Sequence, residues 1–133
     1  MGDRTVLHDL ELFAGCSADD LALVRARGEE LDVEPGEVVV REGRHDHEFY
    51  VILDGRATVT RDGTELARLG RGDFFGAAAL LSGGPRNATV EASSGMRLLV
   101  VPEDTFRELL RRAPSFAVAV HLAADGRGVV TSL

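Results

Sequence analysis

The sequence predicts a mainly β chain with flanking helices, folded as an antiparallel sandwich or roll. Short β-prone runs separated by glycine-containing turns fill the middle of the 133-residue chain, and helical apolar patterns lie toward its two ends. The length suits one ordinary domain. We therefore expect a single domain over 1–133, with an N-terminal helical segment at about 8–29, a roll at about 30–101 and C-terminal helices at about 103–124.

Runs rich in β-branched and aromatic residues are the predicted strands, because these side chains suit a pleated, half-buried surface. The runs are Glu37–Arg41, Glu48–Leu53, Ala57–Thr60, Glu65–Leu69, Ala88–Glu91 and Met96–Val101. Two of the links between them are the Asp-Gly pairs Asp54-Gly55 and Asp62-Gly63. Asp-Gly supplies the positive φ angles of tight turns, so both links predict hairpins.

Helix signals flank the strands on both sides. Ser17 followed by Asp20 resembles a capping box at the start of a first helix. The run 102–104, Pro-Glu-Asp, predicts a second helix, because proline suits the first turn and acidic side chains favour the positive end of the helix dipole. A third helix is expected after Pro114, and we expect the segment 125–128 to end it.

Composition excludes several classes of protein. With 44% hydrophobic and 28% charged residues the chain is expected to be globular rather than disordered. It lacks a run of about 18 apolar residues that would predict a membrane span, and no apolar segment of a secretory signal follows Met1–Thr5. The net charge of −7 and the 5% aromatic content argue against nucleic-acid binding. A single cysteine, Cys16, fits a reducing compartment, so we expect a cytoplasmic protein.

Residues 70–90 contain the parts of an anion site. Gly76 permits close approach of a ligand to the backbone, and the following Ala-Ala-Ala-Leu-Leu run is a strong helix former. A helix that begins after a glycine offers free N–H groups and a positive dipole end. Beyond the turn at 82–85, Arg86 can hold a phosphate through two parallel hydrogen bonds, and Thr89 adds a hydroxyl.

The same segment resembles the phosphate-binding cassette of the cyclic nucleotide-binding domains, the sensor parts of catabolite-activator-type regulators and of cyclic-nucleotide-dependent kinases and channels. Their pattern reads Phe-Gly-Glu-x-Ala-Leu-Leu, a short spacer, then Pro-Arg-x-Ala-Thr-Val. The chain matches it at Phe75, Gly76, Ala79, Leu80, Leu81, Pro85, Arg86, Ala88, Thr89 and Val90. Stretches at 35–37, 42–43 and 50–55 also resemble the family, so the resemblance covers residues 10–122.

The resemblance implies a β-roll, or jelly roll, of the double-stranded β-helix type that binds cAMP or cGMP through its cassette, with no other cofactor. Arg86 would pair with the cyclic phosphate. Backbone N–H groups around Ala78, Ala79 and Ala88, with the Thr89 hydroxyl, would complete the shell. The expected ligand-binding residues are Phe75, Gly76, Ala77, Ala78, Ala79, Pro85, Arg86, Asn87, Ala88 and Thr89.

The chain departs from the family pattern at two places. Ala77 stands where the family has the glutamate that accepts a hydrogen bond from the ribose 2′-hydroxyl. Loss of a hydrogen bond to a charged group, about 1.5–3 kcal/mol, predicts binding weaker by roughly 10- to 150-fold. The third helix also ends early, where family members extend into a lid or dimer helix or continue into a DNA-binding domain, so we expect no DNA-reading role.

Two other interpretations compete with the sensor. His45 and His47 could form a metal pair, and Glu48 with Gly55 resembles part of the first cupin motif, which predicts a metal enzyme. The spacing differs from the cupin pattern, a third histidine on a later strand is lacking, and an exposed turn is the simpler interpretation. The other alternative is a ligand-free protein-interaction domain on the same fold, in which the pocket has decayed.

We therefore expect a stand-alone regulatory module without catalytic or metal-ligating residues, and not an enzyme. Its expected partners are a cyclic nucleotide or another small phosphate-bearing ligand and a further protein, with no nucleic acid or membrane. Phe116, Val120 and Leu122 offer an apolar face for docking or homodimer formation, although core packing explains the same pattern. Abundant Ala, Arg and Gly with no Lys favours a bacterial source.

Overall fold

Two four-stranded antiparallel sheets and a helical layer make up the fold. The computed structural model describes residues 7–124. The strands are β1 Glu29–Val33, β2 Val38–Val40, β3 Glu48–Asp54, β4 Ala57–Arg61, β5 Thr64–Leu69, β6 Phe74–Phe75, β7 Thr89–Ala92 and β8 Met96–Pro102. One sheet has the order β1-β8-β3-β6 and the other β2-β7-β4-β5. The predicted fold class, an antiparallel roll with flanking helices, is confirmed.

The helices lie before, within and after the strands. Two 3₁₀ turns, Leu7–Asp9 and Glu11–Phe13, precede the helix α1, Ala18–Arg27. A short helix, α2 Ala77–Ser82, lies between β6 and β7, and α3 Glu103–Arg112 and α4 Pro114–Ala124 follow β8. The expected end of the last helix at 125–128 and the expected lack of a signal at Met1–Thr5 lie outside the described residues.

Both faces of β3 are buried, because its side chains alternate between two hydrophobic cores. Phe49 and Val51 face the helical layer, where they join Phe106 and Phe116. Ile52 points the opposite way, into the space between the two sheets. This double burial gives β3 a continuous apolar run and fixes its place in the middle of the molecule.

The α1 cap forms as the sequence predicts, with aspartate in place of the usual glutamate. The Ser17 hydroxyl accepts a hydrogen bond from the Asp20 N–H at 3.1 Å, and the Asp20 carboxylate accepts one from the Ser17 N–H at 3.2 Å. Asp20 also accepts from Arg112 of α3 at 3.2 Å. The cap therefore ties the N-terminal helix to the C-terminal helices.

Only one of the two Asp-Gly links is a hairpin turn. At Asp62-Gly63 both residues have positive φ, 52° and 80°, and the turn joins the paired strands β4 and β5. Asp54-Gly55 instead carries the chain from the first sheet to the second, so the hairpin predicted there is wrong. Gly55 is needed for a close approach, because a Cβ atom would lie 2.4 Å from the Gly95 carbonyl oxygen.

The apolar face proposed from the C-terminal pattern divides between core and surface. Phe116 and Val120 are fully buried in the helical core, so they are not available for docking. Leu122 is 40% exposed and Val118, one turn earlier, is 58% exposed. No helix within residues 7–124 combines the length and apolarity needed to cross a membrane.

Candidate functional site

Within the segment 74–90, the chain leaves β6, forms the short helix α2 and then returns, so that Arg86 lies next to the start of that helix. Strand β6 ends at Phe75, and Gly76 turns the chain into α2 with a φ of +102°. Helix α2 ends at Ser82, and the next residue, Gly83, is also in the left-handed region. The loop that follows brings Arg86 back beside Gly76. Since N–H groups of a first helical turn have no acceptor within the helix, those of α2 are available at this place.

Arg86 is a buried cation with a set of fixed acceptors. Its side chain is only 3% exposed. Its Nη1 donates to the Gly76 carbonyl at 2.9 Å, and its Nη2 donates to the Glu48 carbonyl at 2.6 Å. Its Nε donates to Asp46 Oδ1 at 2.6 Å, and its Nη2 also contacts that oxygen. A buried arginine needs such a counter-charge, and Asp46 provides it.

The aromatic ring of Tyr50 lies next to the guanidinium of Arg86. The Arg86 Cζ atom lies 5.9 Å from the Tyr50 ring centroid, within the range of a cation–π contact. Tyr50 stacks on Phe75 with centroids 4.9 Å apart and donates its hydroxyl to the Glu48 carboxylate at 3.1 Å. Burial, with the nearby Glu48 and Asp46 carboxylates, raises the pKa of Tyr50 above its ordinary value, so it remains a neutral donor.

Gly76 is required at its position both by its φ angle and by the approach of Arg86. A Cβ atom there would lie 2.8 Å from Arg86 Nη1 and 2.9 Å from the Glu48 carbonyl oxygen. The sequence predicted a close approach at this glycine. In the structure, the group that approaches Gly76 is the guanidinium of Arg86.

Replacing Gly76 with alanine is expected to lower the free energy of unfolding by about 3 kcal/mol or more. The left-handed backbone costs alanine about 1–2 kcal/mol, and displacing Arg86 disturbs a buried ion pair whose rupture costs roughly 3–5 kcal/mol. Gly83→Ala is the matched control, because Gly83 has a φ of +75° and nothing lies within 4 Å of its Cβ position. Urea denaturation measures both variants, and equal losses would contradict the contact with Arg86.

The expected binding residues separate into two neighbouring cavities. Phe75, Gly76, Arg86, Asn87 and Ala88 line a cavity of about 10 Å³ inside the roll, with Val40 and Val90. That is room for about one water molecule. Ala78, Ala79, Pro85 and Asn87 line an open groove of about 500 Å³, with Leu81, Ser82 and His121 of α4. The groove has the size of a small-molecule site.

Ala77 and Thr89 line neither of these two cavities. Ala77 is 1% exposed at the start of α2, where its methyl group packs in the helical core. The Thr89 hydroxyl oxygen accepts a hydrogen bond from the Glu42 N–H at 3.0 Å and so joins β7 to the loop after β2. Arg61 reaches the same region and donates to the Asn87 carbonyl at 2.7 Å.

Sequence reasoning missed Asp46 as a partner of Arg86. The motif His45-Asp46-His47 suggested an exposed turn or a metal pair, yet the middle residue reaches across to the cassette. One signal could have pointed to such a partner. An arginine that is buried in the cassette requires a carboxylate nearby to balance its charge. Nothing in the sequence shows which of the 22 acidic residues supplies it.

An arginine of α3 ties the C-terminal helices to the cassette. Arg107 donates to the Leu80 carbonyl near the end of α2 at 2.6 Å, and it pairs with Glu103 at 2.7 Å. Glu103 also contacts His47 Nδ1 at 3.2 Å. The cassette, the loop before β3 and the start of α3 therefore share one polar network.

His45 and His47 do not belong to a larger cluster of metal-ligating side chains among the described residues. Between residues 7 and 124, His, Cys, Asp and Glu side chains do not assemble in threes as a metal site requires. His47 is engaged with Glu103 rather than with His45. Cys16 is buried, and burial with the nearby Asp20 carboxylate raises the pKa of its thiol, which makes it a poor nucleophile.

Comparison with known proteins identifies the family. The model of the cyclic nucleotide-binding domain matches residues 30–113, which is more than half of the chain. The chain belongs to this family, which is regulatory rather than catalytic. The resemblance found in residues 75–90 is thereby confirmed as family membership.

The proteins that the chain resembles include a putative potassium channel protein, a protein kinase regulatory subunit and a catabolite activator protein. The chain is 36% identical over 87% of its length to a putative potassium channel protein of Rhodopseudomonas palustris. It is also 36% identical over 78% of its length to a cAMP-dependent protein kinase regulatory subunit of Mycosarcoma maydis. These matches span only 29% and 22% of the two relatives. The catabolite activator protein of Thermus thermophilus superimposes with a TM-score of 0.74 at 27% identity, over 90% of this chain and 59% of that one.

Proposed function

We propose that this chain is a sensor module that binds a cyclic nucleotide, cAMP or cGMP, by its phosphate at Arg86. The N–H groups at the start of α2 and around Ala88, with the Thr89 hydroxyl, complete the contacts. The chain acts as one regulatory unit over 1–133, without catalysis of its own, and its signal passes to a protein partner in the cytoplasm. The match to the family and the chemistry of the cassette support this function.

The observation that carries the proposal is the burial of Arg86 inside the cassette. An arginine that served only to solubilise the surface would extend into water, whereas this side chain is 3% exposed and held by backbone carbonyls of Gly76 and Glu48. The same guanidinium borders a cavity with Asn87 and Ala88. A preorganised cation beside free N–H groups is what recognition of a single phosphate requires.

The contacts of α3 supply a route for the signal. A ligand that draws the cassette inward moves the Leu80 carbonyl, to which Arg107 of α3 is bonded at 2.6 Å. Helices α3 and α4 then repack, and α4 borders the cassette groove through His121. This is a shift between two populations, limited by how much better the ligand binds one of them.

Isothermal titration calorimetry with cAMP, cGMP and cyclic dinucleotides tests the proposed function. We expect saturable one-to-one binding, weakened by the absence of a carboxylate at Ala77. Arg68→Ala serves as the control, because within residues 7–124 the ion pair of Arg68 is with Glu65 of the same strand, and its side chain is 78% exposed. A flat trace with every ligand at millimolar concentration would refute the sensor.

A ligand-free interaction domain is the second candidate, and two observations favour it. Arg86 already has a counter-ion in Asp46, and the carboxylate for the ribose is replaced by the buried Ala77. On this alternative, the exposed Val118 and Leu122 of α4 belong to a surface for a protein partner or a second copy of the chain. The flat calorimetric trace described above would support it.

A further inference from the structure

The loop between β2 and β3 places a carboxylate on the arginine that is proposed to bind phosphate. Asp46 contacts Arg86 through Nε, at 2.6 Å, and through Nη2. The side chain of Asp46 is 35% exposed, whereas that of Arg86 is 3% exposed. The carboxylate therefore stands between the buried cation and water.

Few of the donors of Arg86 remain for a ligand. A guanidinium has five N–H groups. Two of them are directed to Asp46, one to the Gly76 carbonyl and one to the Glu48 carbonyl, which leaves one on Nη1. Because the strong contact with phosphate is a fork of two parallel N–H groups, Arg86 cannot make it while all of these bonds persist.

Charge makes Asp46 the partner that has to leave. The two carbonyls are fixed in the backbone, whereas Asp46 is a side chain of a loop open to solvent. A phosphate and a carboxylate on one guanidinium would also repel each other at short range in a partly desolvated site. Displacement of the carboxylate relieves this repulsion and frees the N–H groups of Nε and Nη2.

A displaced Asp46 has two other arginines beside it. Arg41, Arg44 and His45 line a cavity of about 240 Å³ together with Asp46. These side chains are exposed. The two arginines supply positive charge for the carboxylate once Arg86 binds the ligand, so the displaced carboxylate still has a counter-charge nearby.

We propose, on the basis of the sensor function above, that Asp46 is an internal competitor for the phosphate site. It neutralises Arg86 in the ligand-free chain and is exchanged for the phosphate of the ligand on binding. The residue thereby sets the affinity of the sensor, and its release moves the loop that contacts Glu103 of α3 through His47.

Calorimetric titration of Asp46→Asn with cAMP tests the exchange. The amide keeps the size of the side chain and removes its charge, so the ligand no longer competes with an anion, and we expect cAMP to bind at least about tenfold more tightly than to the wild type. Asp54→Asn is the matched control, because Asp54 is an exposed carboxylate at the end of β3 and its replacement changes the net charge equally. That variant is expected to bind as the wild type does.

The outcomes separate this proposal from the proposed function. If the wild type binds cAMP and Asp46→Asn binds it equally or more weakly, Asp46 orients Arg86 rather than competing, and the exchange is refuted. If wild type and variant both give flat traces, the sensor function fails and the exchange fails with it. If Asp46→Asn does not fold, the wild-type complex decides: an Asp46 Oδ1 that stays within hydrogen-bond distance of Arg86 Nε, as at 2.6 Å now, overturns the proposal.

Discussion

Replacing Arg86 with alanine is expected to abolish cyclic nucleotide binding and to lower the free energy of unfolding by about 3 kcal/mol. Breaking a buried ion pair costs roughly 3–5 kcal/mol, and the half-exposed Asp46 places this site at the low end. The carbonyls of Gly76 and Glu48 also lose their donor. Two charge-assisted hydrogen bonds to phosphate, about 1.5–3 kcal/mol each, correspond to at least a 100-fold loss of affinity.

Calorimetry and urea denaturation measure the two effects separately. Arg86→Lys is the informative companion, because it retains the charge and loses the planar fork, so we expect intermediate binding. Arg68→Ala should leave both quantities unchanged, since its side chain is 78% exposed. If a folded Arg86→Ala protein bound cAMP with the affinity of the wild type, Arg86 would not be a ligand-binding residue.

Replacing Ala77 with glutamate is expected to tighten cAMP binding by roughly 10- to 150-fold. It is also expected to lower the free energy of unfolding, because Ala77 is buried at the start of α2 and the carboxylate has to turn out of the helical core to reach the ligand. The family carries a glutamate at this position that receives the ribose 2′-hydroxyl, and the substitution restores that acceptor. A gain in affinity would have to come from the 2′-hydroxyl contact, because the charge of the carboxylate by itself repels the phosphate and weakens binding. Affinities for cAMP and for 2′-deoxy-cAMP, measured in parallel, separate the hydroxyl contact from general effects, and only cAMP should gain.

Ala78→Glu provides the control for Ala77→Glu. It adds the same charge one residue later, on a side chain that borders the open groove rather than the buried start of α2. It is expected to weaken binding slightly or leave it unchanged. Equal tightening of the ribo and deoxyribo ligands by Ala77→Glu, or no tightening of either, would place the sugar elsewhere.

Much of the fold could be predicted from the sequence because its signals are local. Continuous apolar runs define β3 and β8, and the Ser17 cap defines the start of α1. Strand β1 was not predicted as a strand, because only Val33 of its five residues is buried and the others form no apolar pattern. The two residues of β6 are too few for any periodicity.

Long-range pairing explains the errors. An Asp-Gly pair specifies a turn but not which strands it joins, so Asp54-Gly55 was indistinguishable from Asp62-Gly63 until the sheet order was known. The same applies to the cassette. Its motif predicts that Arg86 and the helix after Gly76 contribute to one anion site. The contact of Arg86 with Asp46, 40 residues away along the chain, depends instead on how the loop before β3 folds over the cassette.

A structure of the protein crystallised with cAMP tests most directly whether Arg86 is the anion receptor of this chain. We expect a phosphate oxygen about 2.7–2.9 Å from a guanidinium nitrogen of Arg86, the length of a charge-assisted hydrogen bond. Cyclic AMP bound elsewhere, for example in the groove beside His121, with Arg86 still bonded only to Asp46 and the carbonyls of Gly76 and Glu48, would contradict the account.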